Sequence, residues 1–334
     1  MHDIMKTLAE MQAAHGKNRL VIILDGMGVS VMRRALDPAG FFTRNMTGMA
    51  RAIIPATTVA ATTAYRTGKM PWETGFIGWS QYFDEVDEVI EVFLNTNYYT
   101  KEASKLPTLS DILPCPHVVD AMNAAGRPAF EIMPAFAPGG CENFTEWLNK
   151  IVETCNRETD AYIYAYWTEP DSALHRNGTD DVGVHQMLRD MERDIENAIA
   201  KIRNKTDVLI TADHGHRNLD YFYLDDFPDV AECLRHPLSI EARCASIFVR
   251  PERMADFPGI FNKHFGEHFK LVPKVDFERD YLHAAAPVRF IGDFVALAIG
   301  DWGLSQSRDA DIWKSSHAGI TDDEMEIPII RVAI

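Results

Sequence analysis

The 334-residue chain has few cysteines and no long apolar run. Its five cysteines form no C-x-x-C pair, which argues against a disulfide framework and against a cysteine zinc cluster. No apolar stretch approaches the roughly 18 residues that a membrane span needs. The N-terminus also lacks a basic start followed by an apolar run, so we expect no signal peptide and a cytoplasmic protein without membrane contact.

Basic residues are less numerous than acidic residues in this chain. The 33 Lys and Arg stand against 49 Asp and Glu, which gives a formal net charge of −16. Such an acidic chain repels polyanions, so we expect no binding to nucleic acid duplexes or to anionic membranes. A small anionic substrate would need a local positive charge to hold it. Hydrophobic residues make up 46% and charged residues 25% of the chain, a balance that excludes intrinsic disorder and leaves the oligomeric state open.

Short apolar runs separated by amphipathic stretches predict an α/β fold. The apolar runs are residues 20–24, 52–54, 129–133, 161–167, 208–211, 246–249 and 327–332. They are continuous rather than alternating, which is typical of strands buried on both faces of a parallel sheet. Amphipathic helical patterns cover residues 143–157, 181–204 and 290–299. Since no internal repeat or flexible linker interrupts the chain, we expect one domain over residues 1–334, with lid segments at 76–107 and 216–243.

Residues of the type that bind metals stand at the ends of the strongest predicted strands. They are Asp25, Asp171, His175, Asp213, His214 and, before the last strand, His317. Each alone has an ordinary explanation, because an Asp after a strand is most often a helix cap or a turn residue. Their joint occurrence at the sheet edge where ligands bind in α/β proteins favours a site. Three carboxylates and three imidazoles suit two Zn²⁺ ions, each with an open position.

The segment at residues 55–79 contains a second candidate feature. Residues 59–66 predict a helix that begins beside Thr57 and Thr58. A hydroxyl at a helix N-terminus lies next to free backbone N–H groups and the positive end of the dipole, which suits a phosphoryl oxygen. Either threonine could be a plain N-cap, and the roles of cap and nucleophile are compatible. A zinc ion would lower the hydroxyl pKa enough to form an alkoxide at neutral pH.

Five motifs together resemble the alkaline phosphatase superfamily, on the branch of nucleotide pyrophosphatases and type I phosphodiesterases. They are VIILDGMG, PATTVAATTAYRTGKMPWETGFIG, TEPDSALHRNG, TADHGH and SSHAGIT, and they extend from residue 21 to residue 321. The resemblance implies a three-layer α/β/α fold with a mostly parallel central sheet and small lid insertions. It also implies a metal-dependent hydrolase that cleaves phosphodiester or pyrophosphate bonds in a small phosphate ester.

The resemblance further implies a role for seven residues. Thr58, nine residues before Thr67, would be the nucleophile and form a phosphothreonine intermediate. One zinc ion would be held by Asp171, His175 and His317. The second would be held by Asp25, Asp213 and His214, together with the Thr58 oxygen. Two dications outweigh three carboxylates, so this set leaves a local excess of about one positive charge for an anionic substrate.

One position departs from the diesterase pattern. Where the diesterases place an Asn whose amide stabilises a phosphoryl oxygen, this chain has Trp79. The departure leaves open a phosphonate (C–P) hydrolase such as phosphonoacetate hydrolase, or a phosphomonoesterase. An alternative of another class is a non-catalytic sensor of metal or phosphate. Sulfatases are excluded, because no cysteine lies in a C-x-P-x-R context.

Three further residues are candidates for substrate contacts. The rings of Trp79 and Tyr82 could stack on the leaving group, although packing in a core or lid is an equal alternative. His216, two residues after His214, could hydrogen-bond the phosphate or support a metal ligand.

Overall fold

A computed structural model describes residues 3–106, 112–308 and 313–334. Its strands are β1 (Asn18–Leu24), β2 (Met46–Arg51), β3 (Ser80–Phe83), β4 (Glu88–Glu91), β5 (Thr96–Asn97), β6 (Ala129–Ile132), β7 (Tyr162–Trp167), β8 (Thr206–Thr211), β9 (Arg217–Asn218), β10 (Asp220–Tyr223), β11 (Ser239–Glu241), β12 (Cys244–Ile247), β13 (Phe269–Pro273), β14 (Phe294–Ala298), β15 (Trp302–Ser305), β16 (Ser315–Ser316) and β17 (Glu326–Ala333).

The same residues form the helices α1 (Ile4–Ala13), α2 (Val29–Ala35), α3 (Phe41–Asn45), α4 (Thr58–Thr67), α5 (Pro71–Thr74), α6 (Val118–Ala124), α7 (Phe144–Arg157), α8 (Asp171–Asn177), α9 (Val182–Ile199), α10 (Pro228–Ala231), α11 (Phe257–Phe265), α12 (Lys274–Asp280) and α13 (Asp322–Met325). No helix in this described part of the chain is both long enough and apolar enough to cross a membrane. All five cysteines are free.

The central sheet has the strand order β2-β17-β8-β1-β7-β6. The strands β8, β1, β7 and β6 run parallel, and β17 runs antiparallel to its neighbours β8 and β2. Every residue of β1 is buried, which requires cover on both faces of the sheet. The helices supply this cover in two packed groups, one of α2, α3, α7 and α9 and one of α1, α4 and α6. The expected α/β/α architecture with a mostly parallel sheet is confirmed.

A second sheet is larger than the expected lid insertions. It has the order β13-β14-β12-β11-β3-β4-β5, and every neighbouring pair in it is antiparallel. Segment 76–107, whose last residue lies outside the described residues, supplies β3, β4 and β5. Segment 216–243 supplies β11, and its strands β9 and β10 pair with β16 and β15. The apolar run at 246–249 overlaps β12 and therefore belongs to this antiparallel sheet.

Two predicted elements are wrong. The pattern at 290–299 is not a helix, because its apolar part forms β14, which is hydrogen-bonded on both sides within the second sheet. A short apolar run does not distinguish a buried strand from a buried helix. The run at 52–54 lies just after a strand rather than in one. The strand itself, β2, is at the sheet edge and mostly not buried, so its sequence lacks a continuous apolar run.

The helical pattern at 181–204 is confirmed as α9. Asp181 caps this helix, because its Oδ1 accepts hydrogen bonds from the backbone N–H groups of Gly183 and Val184 at 2.9 and 3.0 Å. The pattern at 143–157 corresponds to α7, and the predicted helix at 59–66 corresponds to α4. These helices pack against the sheet whose edge carries the candidate site.

Candidate active site

The strand order of the central sheet brings the predicted residues to one edge. β8, β1 and β7 are neighbours and run parallel, and the register pairs Leu24 with Trp167 and Ile23 with Thr211. Asp25 follows β1 directly, whereas Asp213 follows β8 by two residues. The chain leaves β7 into α8, which begins at Asp171 and carries His175 one turn later. The structure therefore brings these side chains together, as the sequence predicted.

Asp213 has one unsatisfied oxygen in the interior. Its Oδ1 accepts hydrogen bonds from the backbone N–H groups of Gly26 and His214 at 3.1 and 3.0 Å. Its Oδ2 is buried and has no hydrogen-bond partner among the residues that the structure describes. A buried carboxylate oxygen without a partner is costly, so this atom fits a site for a cation.

Asp171 lies at the centre of a group of imidazoles. Its Oδ1 is 2.6 Å from Nε2 of His216, 3.3 Å from Nε2 of His175 and 3.8 Å from Nε2 of His317. These four residues can offer ligand atoms that all lie within 4.8 Å of one another. A second such group consists of Asp25, Asp171 and His214. The spacing fits two adjacent metal positions.

The hydrogen bonds of three histidines define their tautomers. In each of them Nδ1 faces a backbone carbonyl oxygen: Ser315 at 2.8 Å for His175, Gly215 at 3.2 Å for His214, and Ala56 at 3.1 Å for His317. Because a carbonyl oxygen only accepts, Nδ1 must carry the proton. The lone pair of each neutral ring is therefore on Nε2, the atom that faces the carboxylates. This is the arrangement that histidine ligands of metals usually have.

His216 lies between a hydroxyl and a carboxylate. Its Nδ1 lies 3.1 Å from Oγ of Ser315, and that hydroxyl donates to the carbonyl of Leu174 at 2.7 Å. Its Nε2 lies at hydrogen-bond distance, 2.6 Å, from Oδ1 of Asp171, a carboxylate oxygen that only accepts. Nε2–H therefore donates to Asp171, and Nε2 would have to release that proton to bind a metal.

The group is electrostatically strained without a cation. Burial raises the pKa of Asp25 well above its ordinary value, and the negative charges of Asp213 and Asp171 raise it further. Burial lowers the pKa of His216 to about 4 and that of His317 well below its ordinary value. Asp171 and His175 behave differently: burial opposes their charged forms, but their mutual attraction lowers the pKa of Asp171 well below its ordinary value and raises the pKa of His175. A divalent cation beside Asp25 would favour the charged form of that carboxyl group.

Thr58 faces this cluster from the start of α4. Its Oγ1 lies 3.1 Å from Nε2 of His214 and 3.4 Å from both carboxylate oxygens of Asp25. The preceding residue, Thr57, occupies the N-cap position but makes no side-chain cap, because its hydroxyl donates to Oε1 of Glu241 at 2.5 Å. In the described part of the chain no side chain caps the first-turn amides of α4, which therefore suit an anionic oxygen.

A cleft of about 360 Å³ opens above Thr58. Among the residues that line it are the aromatic residues Trp79, Tyr98, Tyr99, Tyr221 and Trp313 and the candidate site residues Asp171, His175 and His317. Trp79 therefore lies where the sequence predicted a substrate contact. Tyr82 is not among the described lining residues, since its hydroxyl donates to Asp87 at 2.9 Å and its ring stacks on His236 at 4.1 Å.

Glu241, which also lines the cleft, was not predicted from the sequence. Its Oε1 accepts the hydroxyl of Thr57 and also the backbone N–H of Trp79 at 3.0 Å. Burial raises the pKa of Glu241 above its ordinary value, and these two hydrogen bonds and the nearby His175 and His214 offset only part of that rise. Glu241 is the last residue of the short strand β11 and is distant in sequence from every motif. The only sequence feature that could have indicated its role is a charged residue in the segment SIEARCASI.

Comparisons with known proteins identify the family and the fold of the chain. The model of the family described as type I phosphodiesterase / nucleotide pyrophosphatase matches residues 19–321. The curated protein bis(5'-adenosyl)-triphosphatase enpp4 of Xenopus laevis is 30% identical over 81 residues. That alignment covers 22% of this chain and 18% of the relative, so the chain matches less than a fifth of the relative's length.

Similar solved structures include human ectonucleotide pyrophosphatase / phosphodiesterase 5, with 16% identity and a TM-score of 0.71 over 94% of this chain and 87% of that chain. An inactive variant of the murine protein in complex with AMP has 16% identity and a TM-score of 0.70 over the same shares. Phosphonoacetate hydrolase from Sinorhizobium meliloti, in complex with phosphonoacetate, has 16% identity and a TM-score of 0.67 over 95% of this chain and 90% of that chain. These likenesses show a shared fold.

Proposed function

Since the chain belongs to the type I phosphodiesterase / nucleotide pyrophosphatase family, we propose that it hydrolyses phosphodiester or pyrophosphate bonds of a small phosphate ester at Thr58. One observation carries the proposal. The hydroxyl of Thr58, at the start of a helix without a side-chain cap, faces the buried carboxylate of Asp25 and Nε2 of His214. The AMP held by a structurally similar protein supports a small phosphate ester as the kind of ligand.

The donor set fits two divalent metal ions, which we propose to be Zn²⁺. Asp171, His175 and His317 would hold one ion, with His216 as a fourth donor. Asp25, Asp213 and His214 would hold the other, beside Thr58. When bound, the ions would neutralise the carboxylates, lower the pKa of the Thr58 hydroxyl and stabilise negative charge on the phosphoryl oxygens. The unpartnered Oδ2 of Asp213 supports this assignment.

Catalysis would proceed in two displacements at phosphorus. In the first, the Thr58 hydroxyl gives its proton to water and Oγ1 attacks phosphorus in line. The bond to the ester oxygen breaks as the bond to Oγ1 forms, and the departing oxygen takes a proton from water. The amides at the start of α4 would hold a non-bridging oxygen. Water then attacks the phosphothreonine, which releases the phosphate product and restores the hydroxyl.

A second candidate function is hydrolysis of a phosphonate or a phosphomonoester. The observation that favours it is Trp79, which stands where the resemblance to the diesterases expects an Asn. The indole cannot replace the amide, and the backbone N–H of Trp79 is already bound to Glu241. The site thus lacks that one donor to a phosphoryl oxygen of a diester.

A substrate panel would test the proposed function. We expect the zinc-loaded protein to release nitrophenol from bis-p-nitrophenyl phosphate faster than from p-nitrophenyl phosphate, and to leave phosphonoacetate intact. A chelator should abolish the reaction and added Zn²⁺ should restore it. Turnover of phosphonoacetate alone would favour the second candidate. Zinc binding without turnover of any of the three would favour the non-catalytic sensor.

A further inference from the structure

Resting on the proposed function, we infer that Glu241 makes this site select phosphate groups that carry a single negative charge. Phosphodiester monoanions would be accepted, and phosphomonoesters and phosphonates, which carry two or more negative charges, would be disfavoured. Glu241 would thus be a specificity-determining residue for the charge of the substrate.

The position of Glu241 brings its charge close to the reacting group. It lines the same cleft as Thr58, and it is hydrogen-bonded to Thr57, the residue directly before the nucleophile. Both hydrogen bonds that it accepts go to Oε1. Among the described residues none donates to Oε2, and none forms an ion pair with the carboxylate, so its negative charge is not neutralised by Lys or Arg.

The charge of Glu241 changes the net charge of the site that the motif residues and two metal ions alone would give. Two divalent ions outweigh Asp25, Asp171 and Asp213 by one positive charge, and Glu241 removes that excess. The other charged groups that line the cleft are already paired, Glu91 with Lys101 at 3.0 Å and Arg176 with Glu169 at 3.7 Å. With two divalent ions bound and Glu241 ionised at pH 8, the site would therefore be neutral before substrate enters.

A neutral site discriminates between esters by their charge. A phosphodiester adds one negative charge, whereas a phosphomonoester above its second pKa of about 6 adds two. The second charge has no cation left to balance it and lies beside the Glu241 carboxylate, in a cleft where screening by water is reduced. The predicted preference thus comes from repulsion of the wrong substrate rather than from a contact with the correct one.

The test compares Glu241→Gln with the wild-type protein, both loaded with zinc, at pH 8. Glutamine has the same shape and keeps an oxygen for the Thr57 hydroxyl and the Trp79 N–H, so the variant removes the charge alone. The measurement is the ratio of kcat/KM for p-nitrophenyl phosphate to kcat/KM for bis-p-nitrophenyl phosphate. We expect the ratio to rise about tenfold in Glu241→Gln. The matched control Glu131→Gln changes a carboxylate outside the cleft that is paired with Arg66 at 2.6 Å, so its ratio should stay within about twofold of the wild-type value.

Two results would overturn the inference, and they differ from each other. An unchanged ratio in Glu241→Gln, with diester turnover intact, would reject the role of Glu241 and leave the proposed function standing. No diester turnover in the loaded wild-type protein would reject the proposed function itself.

A second measurement needs no variant. In titration calorimetry of the zinc-loaded wild-type protein, methyl phosphate dianion should bind no more tightly than dimethyl phosphate monoanion, although a dianion ordinarily binds dications more tightly. Binding of methyl phosphate that is tighter by tenfold or more would contradict the inference.

Discussion

Oδ2 of Asp213, which is buried without a hydrogen-bond partner, lies 3.5 Å from Nε2 of His214. The hydrogen bond of Nδ1 to the Gly215 carbonyl leaves that Nε2 with a lone pair. Two electron-rich atoms from adjacent residues thus face each other in the interior. A shared cation is the simplest partner for both.

The first prediction concerns this pair. Asp213→Asn keeps Oδ1 as the acceptor for its two backbone N–H groups and replaces the unpartnered oxygen with an amide nitrogen. Metal analysis after dialysis should fall from about two ions per chain to about one, and turnover should be lost. The matched control is Asp160→Asn, an exposed carboxylate paired with His15. Two ions still bound in Asp213→Asn would contradict the ligand assignment.

His175 provides an independent test of the other metal position. His175→Ala removes an imidazole whose Nε2 lies 3.3 Å from Asp171 and should also lower the metal content to about one ion per chain. His264→Ala, at a histidine that bonds Asp229 in α10, is the matched control and should keep both ions. Equal metal contents in the two variants would exclude His175 as a ligand.

His216 is predicted to be a metal ligand rather than a hydrogen-bond donor to Asp171. In the Co²⁺-loaded protein, His216→Gln should change the visible d–d bands, because the ion loses a nitrogen donor. The glutamine amide could still donate a hydrogen bond to Asp171, so a purely positioning role would leave the bands unchanged. His185→Gln, at a histidine that bonds the Thr179 carbonyl, is the matched control.

The raised pKa of Asp25 predicts a gain in stability when its charge is removed. Burial, with help from Asp213 and Asp171, raises the folded-state pKa above the unfolded value of about 3.9. The metal-free fold is therefore more stable below that pH and loses this stability as the pH rises through the folded pKa. At pH 7.5 the metal-free Asp25→Asn protein should melt a few degrees above the metal-free wild type, at about 2–4 °C per kcal/mol.

Two further observations would check this explanation of Asp25. The difference in Tm between Asp25→Asn and the wild type should shrink as the pH falls towards 4. Added zinc should stabilise the wild type more than the variant, because binding to the folded state raises Tm. A metal-free Asp25→Asn protein that melts below the wild type at pH 7.5 would contradict it.

The parts of the site that the sequence predicted are those set by local rules. Asp25 and Asp213 follow buried parallel strands, and the ends of neighbouring strands meet wherever such a sheet forms. Glu241 obeys no local rule, because its role depends on a hydrogen bond to Thr57, 184 residues away in the chain. Tyr82 was expected in the site, but β3 carries it to a cluster with His236 and Phe248 instead.

The secondary structure also divides into elements that local sequence determines and elements that depend on distant parts of the chain. The helix α9 has a long 3.6-residue period and its own cap, so the sequence predicted it well. The strand β14 has five residues, and its identity as a strand depends on the neighbours β12 and β13 that hydrogen-bond to it. The extent of the second sheet could not be predicted, because its pairing is non-local.

The central claim is that Thr58 is the nucleophile of a metal-dependent phosphodiesterase. Its most direct test is turnover of bis-p-nitrophenyl phosphate by Thr58→Ala, compared with the wild type at equal measured zinc content. The account predicts that the variant keeps its metal and loses turnover by about a thousandfold or more. A Thr58→Ala protein that turns over the diester at the wild-type rate would contradict the account.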